Sequence, residues 1–145
     1  MSVFRTPTAR QVDVGLTILR VIVGAIFIAH GSQKLFVYGF AGVSGAFGQM
    51  GIPMPTLVGP FIALLEFSAG IALIVGLLTR VAALGLAFNM LGAILFVHLK
   101  GGLFLPNGSE FALSLLASTA ILTLTGAGAV SLDGLVAGRR AVARA

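Results

Sequence analysis

Hydrophobic positions in this chain form four long, nearly uninterrupted runs, at about residues 14–38, 56–78, 80–99 and 109–125. Each run approaches the ~20 residues that a helix needs to cross about 30 Å of hydrocarbon at ~1.5 Å per residue. A membrane β-strand would instead alternate apolar and polar positions over about 10 residues. The pattern predicts an all-α fold, an integral membrane four-helix bundle.

The runs divide the chain into an N-terminal segment at 1–13, a transmembrane domain at 14–127 and a basic C-terminal tail at 128–145. Cytoplasmic ends of membrane spans carry an excess of Lys and Arg. Lys34 and Lys100 lie on one predicted side of the membrane. Six arginines lie on the other side, with both termini: Arg5, Arg10, Arg80, Arg139, Arg140 and Arg144. Both termini are therefore predicted to be cytoplasmic, and the tail is expected to contact anionic lipid.

The connection between the first two runs, "GFAGVSGAFGQMGIPMP" at 39–55, combines glycines at a spacing of three with two prolines. This composition predicts an outer loop with a short interfacial helix around residues 43–50. A re-entrant segment that lines a cavity is the alternative.

The composition makes the few polar side chains within the runs informative. Hydrophobic residues make up 58% of the chain, charged residues 9%, and the mean hydropathy is +1.11. The chain has no cysteine, which excludes disulfides, thiol relays and iron–sulfur clusters within it. Redox chemistry would need a bound molecule or a partner. Its basic residues are dispersed and lack interleaved aromatic residues, so we predict no nucleic-acid partner.

Small and ionisable residues share one face of the first run. At ~100° per residue, Arg20, Gly24, Gly31 and Lys34 fall on that face, with His30 at its edge. Ionisable residues within a membrane normally face the bundle interior, and small residues let helices approach closely. This face is therefore expected to pack against the other helices.

Glu66 lies near the middle of the second run, about 9 Å along the membrane axis from Arg20 on the predicted orientation. We predict a pair in which Glu66 accepts protons and Arg20 provides the countercharge, as candidate catalytic residues. A purely structural pair is the alternative, and Arg20 could instead reach the cytoplasmic headgroups. Helix packing is assigned to four glycines: Gly24, Gly31, Gly70 and Gly76.

A second polar group is expected toward the outer side. Its members are candidate ligand-binding residues: His30, Lys34, Asn89, His98 and Glu110. Bis-histidine haem is one interpretation of the two histidines, but such histidines are more typical of hydrogen-bonding groups, and we predict no metal site. Lys34 could equally anchor its helix at the interface, and Glu110 could favour a helix start through the helix dipole.

Several ordered segments resemble the DoxX family of small four-helix membrane proteins. They are "LRVIVGAIFIAHGSQKLF" at 19–36, "LLEFSAGIALIVGLLTRVAAL" at 64–84, "FVHLKGG" at 96–102, "NGSEFALSLL" at 107–116 and "GAGAVSLDGL" at 126–135. The resemblance covers nearly the whole chain. It implies a multi-pass protein of the bacterial inner membrane, and it places Arg80, Ser131 and Asp133 at motif positions with the residues discussed above.

The resemblance also implies a redox setting. Relatives include a subunit of an archaeal thiosulfate:quinone oxidoreductase and mycobacterial proteins linked to oxidative and thiol stress. We therefore expect a quinone-associated or accessory subunit of a membrane oxidoreductase complex, not catalytic alone, with no covalent cofactor. Its expected partners are lipid and either redox subunits or further copies of itself. A quinone would lie near Arg20, Glu66 and Asn89, and the outer cations could attract a sulfur oxyanion. A non-catalytic scaffold or a small-solute transporter are the alternatives.

Overall fold

The structure is a computed structural model that describes residues 6–136, and this part of the chain contains helices and connections but no strand. The all-α prediction is confirmed. Five α-helices lie between residues 9 and 125: α1 (Ala9–Ser32), α2 (Gly39–Gln49), α3 (Pro55–Val75), α4 (Thr79–Ala93) and α5 (Glu110–Thr125). Residues 132–136 are helical as well. A π-helical segment, Gln33–Tyr38, links α1 to α2, and another, Ile94–His98, extends α4.

The helices coincide with the four apolar runs to within a few residues at most ends. Three helical stretches are long and apolar enough to span a membrane: Ala9–Gln49, Pro55–Val75 and Thr79–Gly101. α5 is shorter, and its 16 residues rise about 24 Å. The orientation of the termini stays a prediction.

The short helix predicted around residues 43–50 is present as α2, but it begins earlier, at Gly39, where the sequence predicts a loop. Gly39, with a φ of +66°, ends the π-helical segment and redirects the chain. Val43 is buried, and a Cβ on Gly59 of α3 would stand 3.2 Å from the Ser44 nitrogen. Packing of α2 on α3 thus outweighs the low helix propensity of its glycines, about 1 kcal/mol each.

Close backbone approach fixes the register of α1 against α3. A Cβ on Gly24 would lie 2.7 Å from the Gly70 carbonyl oxygen, and one on Gly31 would lie 2.5 Å from the Phe67 nitrogen. Neither position has room for a side chain unless the helices separate. The remaining core side chains pack around this contact, with Phe27, Leu73, Leu86 and Leu122 almost completely buried.

Gly31→Ala is expected to destabilise the protein by about 2 kcal/mol or more, because the added methyl group must push two backbones apart. Gly15→Ala is the matched control on the same helix, since nothing lies within 4 Å of a Cβ there. The control should be neutral or stabilising by up to about 1 kcal/mol. Unfolding by SDS in mixed micelles measures both, and equal effects would contradict the register described here.

Candidate functional site

Arg20, a residue of α1, has a structural role: its side chain binds the C-terminal end of α3. Its side chain is 3% exposed and donates hydrogen bonds to the carbonyl oxygens of Leu73, at 2.9 Å, and Ile74, at 2.5 Å. It also donates to the carbonyl oxygen of Val130, which follows α5 in the chain. The last carbonyls of a helix lack partners within the helix. Arg20 supplies those partners and ties α3 to the chain beyond α5.

Asp133 makes the complementary contact at the start of α4. Its carboxylate accepts hydrogen bonds from the backbone N–H groups of Leu78, at 2.8 Å, and Thr79, at 2.9 Å. A carboxylate at a helix N-terminus is favourable because the unpaired N–H groups point toward it. Partial burial acts to raise the pKa of Asp133. These hydrogen bonds and the charge of Arg20 outweigh burial, and the pKa is held below the usual 3.8.

We call residues 126–136, together with Arg20 and the α3–α4 turn, the turn lock. Its backbone also contributes, since the Asp133 N–H donates to the Gly76 carbonyl oxygen at 2.9 Å. Gly76 ends α3 with a φ of +70°, and a Cβ there would stand 2.5 Å from the Ser131 Cβ. Residues 128–136 of the predicted tail thus pack against the bundle, and residues 137–145 lie outside the described part.

The turn lock corrects two predictions. Arg20 is not the partner of Glu66. The Gly24–Gly70 contact sets Arg20 beside Ile74, and the eight residues from Glu66 to Ile74 correspond to about 12 Å of helix. Gly76 is not a helix-packing glycine either: it ends α3 in the left-handed conformation, next to Arg20 and Ser131.

Glu66 pairs with Lys34 instead. The Lys34 Nζ lies 2.5 Å from Glu66 Oε2, and the Asn89 side-chain amide donates to Glu66 Oε1 at 2.8 Å. The side chains of Lys34 and Glu66 are 19% and 5% exposed. We call this group the Lys34–Glu66–Asn89 cluster. It joins the segment after α1 to α3 and α4, so Lys34 is neither an interfacial anchor nor a free cation for an oxyanion.

The cluster lies in the wall of a cavity of about 450 Å³, within the range of about 300–1,000 Å³ that is usual for small-molecule sites. His30 and His98 add further polar groups to the wall, whereas Glu110 is not part of it. The rest is mainly apolar and aromatic, and its larger members come from all the helices: Phe27, Phe47, Phe61, Phe88, Phe96 and Phe111. We call this space the intramembrane cavity.

Each of the two histidines lies near a backbone carbonyl, but only His30 is close enough for a strong hydrogen bond. His30 Nδ1 lies 2.9 Å from the Ile26 carbonyl oxygen. Because a carbonyl only accepts, Nδ1 carries the hydrogen, and a neutral His30 presents Nε2 as an acceptor. His98 Nδ1 lies 3.4 Å from the Asn107 carbonyl oxygen, too far for a strong bond. Within residues 6–136, no group of three or more His, Cys, Asp or Glu side chains is placed to hold a metal ion.

Glu110 stabilises the connection before α5. Its Oε1 accepts a hydrogen bond from the Leu105 N–H at 2.8 Å. The sequence placed Glu110 with the outer ligand-binding residues, and the structure separates it from them. Of the predicted ligand-binding residues, His30, Lys34, Asn89 and His98 do line one cavity. Met50, Ile52 and Pro53 also line the cavity, as in the cavity-lining alternative for the segment at 39–55, although the sequence does not single out these residues.

These features define an all-helical, multi-pass membrane protein with a polar cluster inside an apolar cavity. The chain belongs to the DoxX family, whose profile matches residues 15–99. It is 35% identical over 127 residues to a Bacillus subtilis protein named "Putative oxidoreductase CatD", covering 88% of this chain and 90% of the relative. It is also 35% identical over 130 residues to inner membrane protein YqjF of Escherichia coli, covering 86% and 93%.

A second Escherichia coli relative, inner membrane protein YphA, is 33% identical over 138 residues, covering 87% of this chain and 97% of the relative. The Escherichia coli relatives and the apolar spans identify this chain as a bacterial inner-membrane protein. No significant match was found among solved structures.

Proposed function

We propose that this protein is a quinone-binding subunit of an inner-membrane oxidoreductase complex. The observation that carries the proposal is the Lys34–Glu66–Asn89 cluster in the wall of an otherwise apolar cavity. Buried charged groups within a membrane are costly and usually mark a ligand or proton site. The name of the Bacillus subtilis relative supports the general reaction class.

The hydrogen-bonding groups of the cavity suit a quinone in both redox forms. A quinone head group presents carbonyl acceptors, and its reduced form presents hydroxyl donors. Lys34 and Asn89 each have hydrogens left after their bond to Glu66, so they remain donors. His30 Nε2 and the Glu66 carboxylate are acceptors. The same wall therefore offers partners to either form.

The protein's own residues would bind the head group and handle protons. A bound quinone would supply the two-electron redox chemistry that a chain without cysteine lacks. The ion pair places a proton donor, the Lys34 ammonium, beside a proton acceptor, the Glu66 carboxylate. The apolar wall of the cavity restricts water around both groups. A partner subunit would exchange electrons with the site, because residues 6–136 contain no predicted metal site to do so.

Glu66→Gln tests the proposal by removing the charge while keeping the shape of the side chain. Protein purified from native membranes in a mild detergent is extracted, and quinone is measured per mole of protein. Wild type should retain close to one quinone, and Glu66→Gln at least tenfold less. Glu110→Gln is the matched control, since it makes the same chemical change outside the cavity.

Equal thermal unfolding and equal helicity of the variants separate binding from folding. Quinone-free wild type, or equal quinone in wild type and Glu66→Gln, would contradict the proposal. A stable, quinone-free protein that still assembles with its partners would favour the scaffold alternative instead.

A further inference from the structure

Exposed side chains of α3 and α4 form part of the wall of the intramembrane cavity. Phe61 on α3 and Phe88 on α4 both line it, yet they are 59% and 65% exposed. In a membrane-spanning part of the chain, such exposure faces the hydrocarbon of the bilayer. We call the wall between Phe61 and Phe88 the α3–α4 crevice, and lipid therefore reaches the cavity wall on this side.

Two glycines flank Asn89 on the cavity face of α4. Gly85, Asn89 and Gly92 follow one another at spacings of four and three residues, so they share one face of α4, and all three line the cavity. A Cβ on Gly85 would stand 3.2 Å from Leu65 Cδ1, whereas a Cβ on Gly92 would meet nothing within 4 Å. The polar amide of Asn89 thus has open space beside it at Gly92, less than one helical turn away.

Met50, Ile52 and Pro53, in the connection from α2 to α3, line the end of the cavity remote from the turn lock, and His98 lies in the same wall. A charged ligand arriving from water would have to give up part of its hydration to pass the apolar residues. An apolar ligand arriving from the bilayer meets no such barrier at the crevice.

We infer that the ligand is an amphiphile with a long isoprenoid tail, which enters sideways through the α3–α4 crevice and leaves its tail along Gly92. The inference rests on the proposed quinone function. The polar head then lies at the Lys34–Glu66–Asn89 cluster, and the tail extends toward the exposed side of Phe61 and Phe88. The ligand remains in the lipid phase throughout.

Gly92→Leu tests the inference, because a leucine side chain would occupy the open space beside Gly92 that the tail is expected to fill. The variant is placed in nanodiscs with either a ubiquinone that has a long isoprenoid tail or an analogue with a single isoprene unit. Quinone retained after re-purification is measured for the first, and equilibrium dialysis gives the affinity for the second. Gly15→Leu is the matched control, since its position on α1 is also open.

Gly92→Leu is expected to lower retention of the long-tailed quinone at least tenfold and to change affinity for the short analogue by less than about twofold. Gly15→Leu should change neither. Unaltered retention of the long-tailed quinone, or an equal loss of both quinones, would overturn the crevice as the site of the tail. If wild type binds neither quinone, the proposed function itself fails. If wild type binds both quinones and only the Gly92→Leu results differ from those expected, the crevice alone is wrong.

Discussion

Replacing Arg20 with methionine is expected to destabilise the folded protein by about 3 kcal/mol or more. Three backbone carbonyls, on Leu73, Ile74 and Val130, would lose their donor, and each buried acceptor left without a partner costs about 1–3 kcal/mol. SDS titration in mixed micelles, followed by circular dichroism, measures the loss. Arg10→Met is the matched control, because Arg10 is an exposed arginine near the start of the same helix.

Arg20→Lys should give an intermediate loss, since an ammonium group cannot reproduce the fork of a guanidinium. Quinone content should follow the folded fraction in all of these variants, because Arg20 lies outside the intramembrane cavity. A stable Arg20→Met protein that had lost its quinone would restore Arg20 to the site and contradict its structural role.

Lys34→Met is expected to cost about 3–5 kcal/mol, because it leaves the Glu66 carboxylate, 5% exposed, without its cation. Adding Glu66→Gln to Lys34→Met removes the unpaired charge, so the double variant should regain most of that loss. Unfolding of the single and double variants by SDS gives the coupling energy between the two residues. Such recovery is the signature of a charged pair.

Additive effects of Lys34→Met and Glu66→Gln would instead mean that the two side chains do not interact as charges. Asn89→Leu provides a second measurement, since it removes the other partner of Glu66 without changing any charge. Its effect on stability should be smaller than that of Lys34→Met, because a neutral hydrogen bond contributes less than a buried ion pair.

The helices that cross the membrane could be predicted from the sequence because hydrocarbon thickness imposes a minimum length on apolar runs. The full extent of α2 could not, since its glycines favour a loop locally and the contact of Val43 and Ser44 with α3 stabilises the helix. The sequence offers a cavity-lining role for the connection that contains Met50 and Pro53 only as the alternative to an outer loop.

Part of the membership of the candidate site could be predicted, but its pairing could not. One helical face groups Lys34 with other polar positions, and Glu66 and Asn89 lie in the middle of apolar helices. Which cation reaches Glu66 depends on the register of α1 and α3. That register is set where the helices approach at Gly24, Gly31 and Gly70, and an added Cβ there would stand about 2.5–2.9 Å from the facing helix. No single-sequence pattern reveals this approach, so the sequence favours Arg20 over Lys34 as the partner.

The turn lock has a consequence for biosynthesis. Val130 and Asp133 are translated after every helix of the bundle, yet they complete the ends of α3 and α4, which reach the membrane much earlier. Nascent chains that stop before residue 130 contain all four spans but leave the guanidinium of Arg20 short of an acceptor and the first N–H groups of α4 without a carboxylate. A segment translated after α5 thus completes the α3–α4 turn, whose two helices are translated before it.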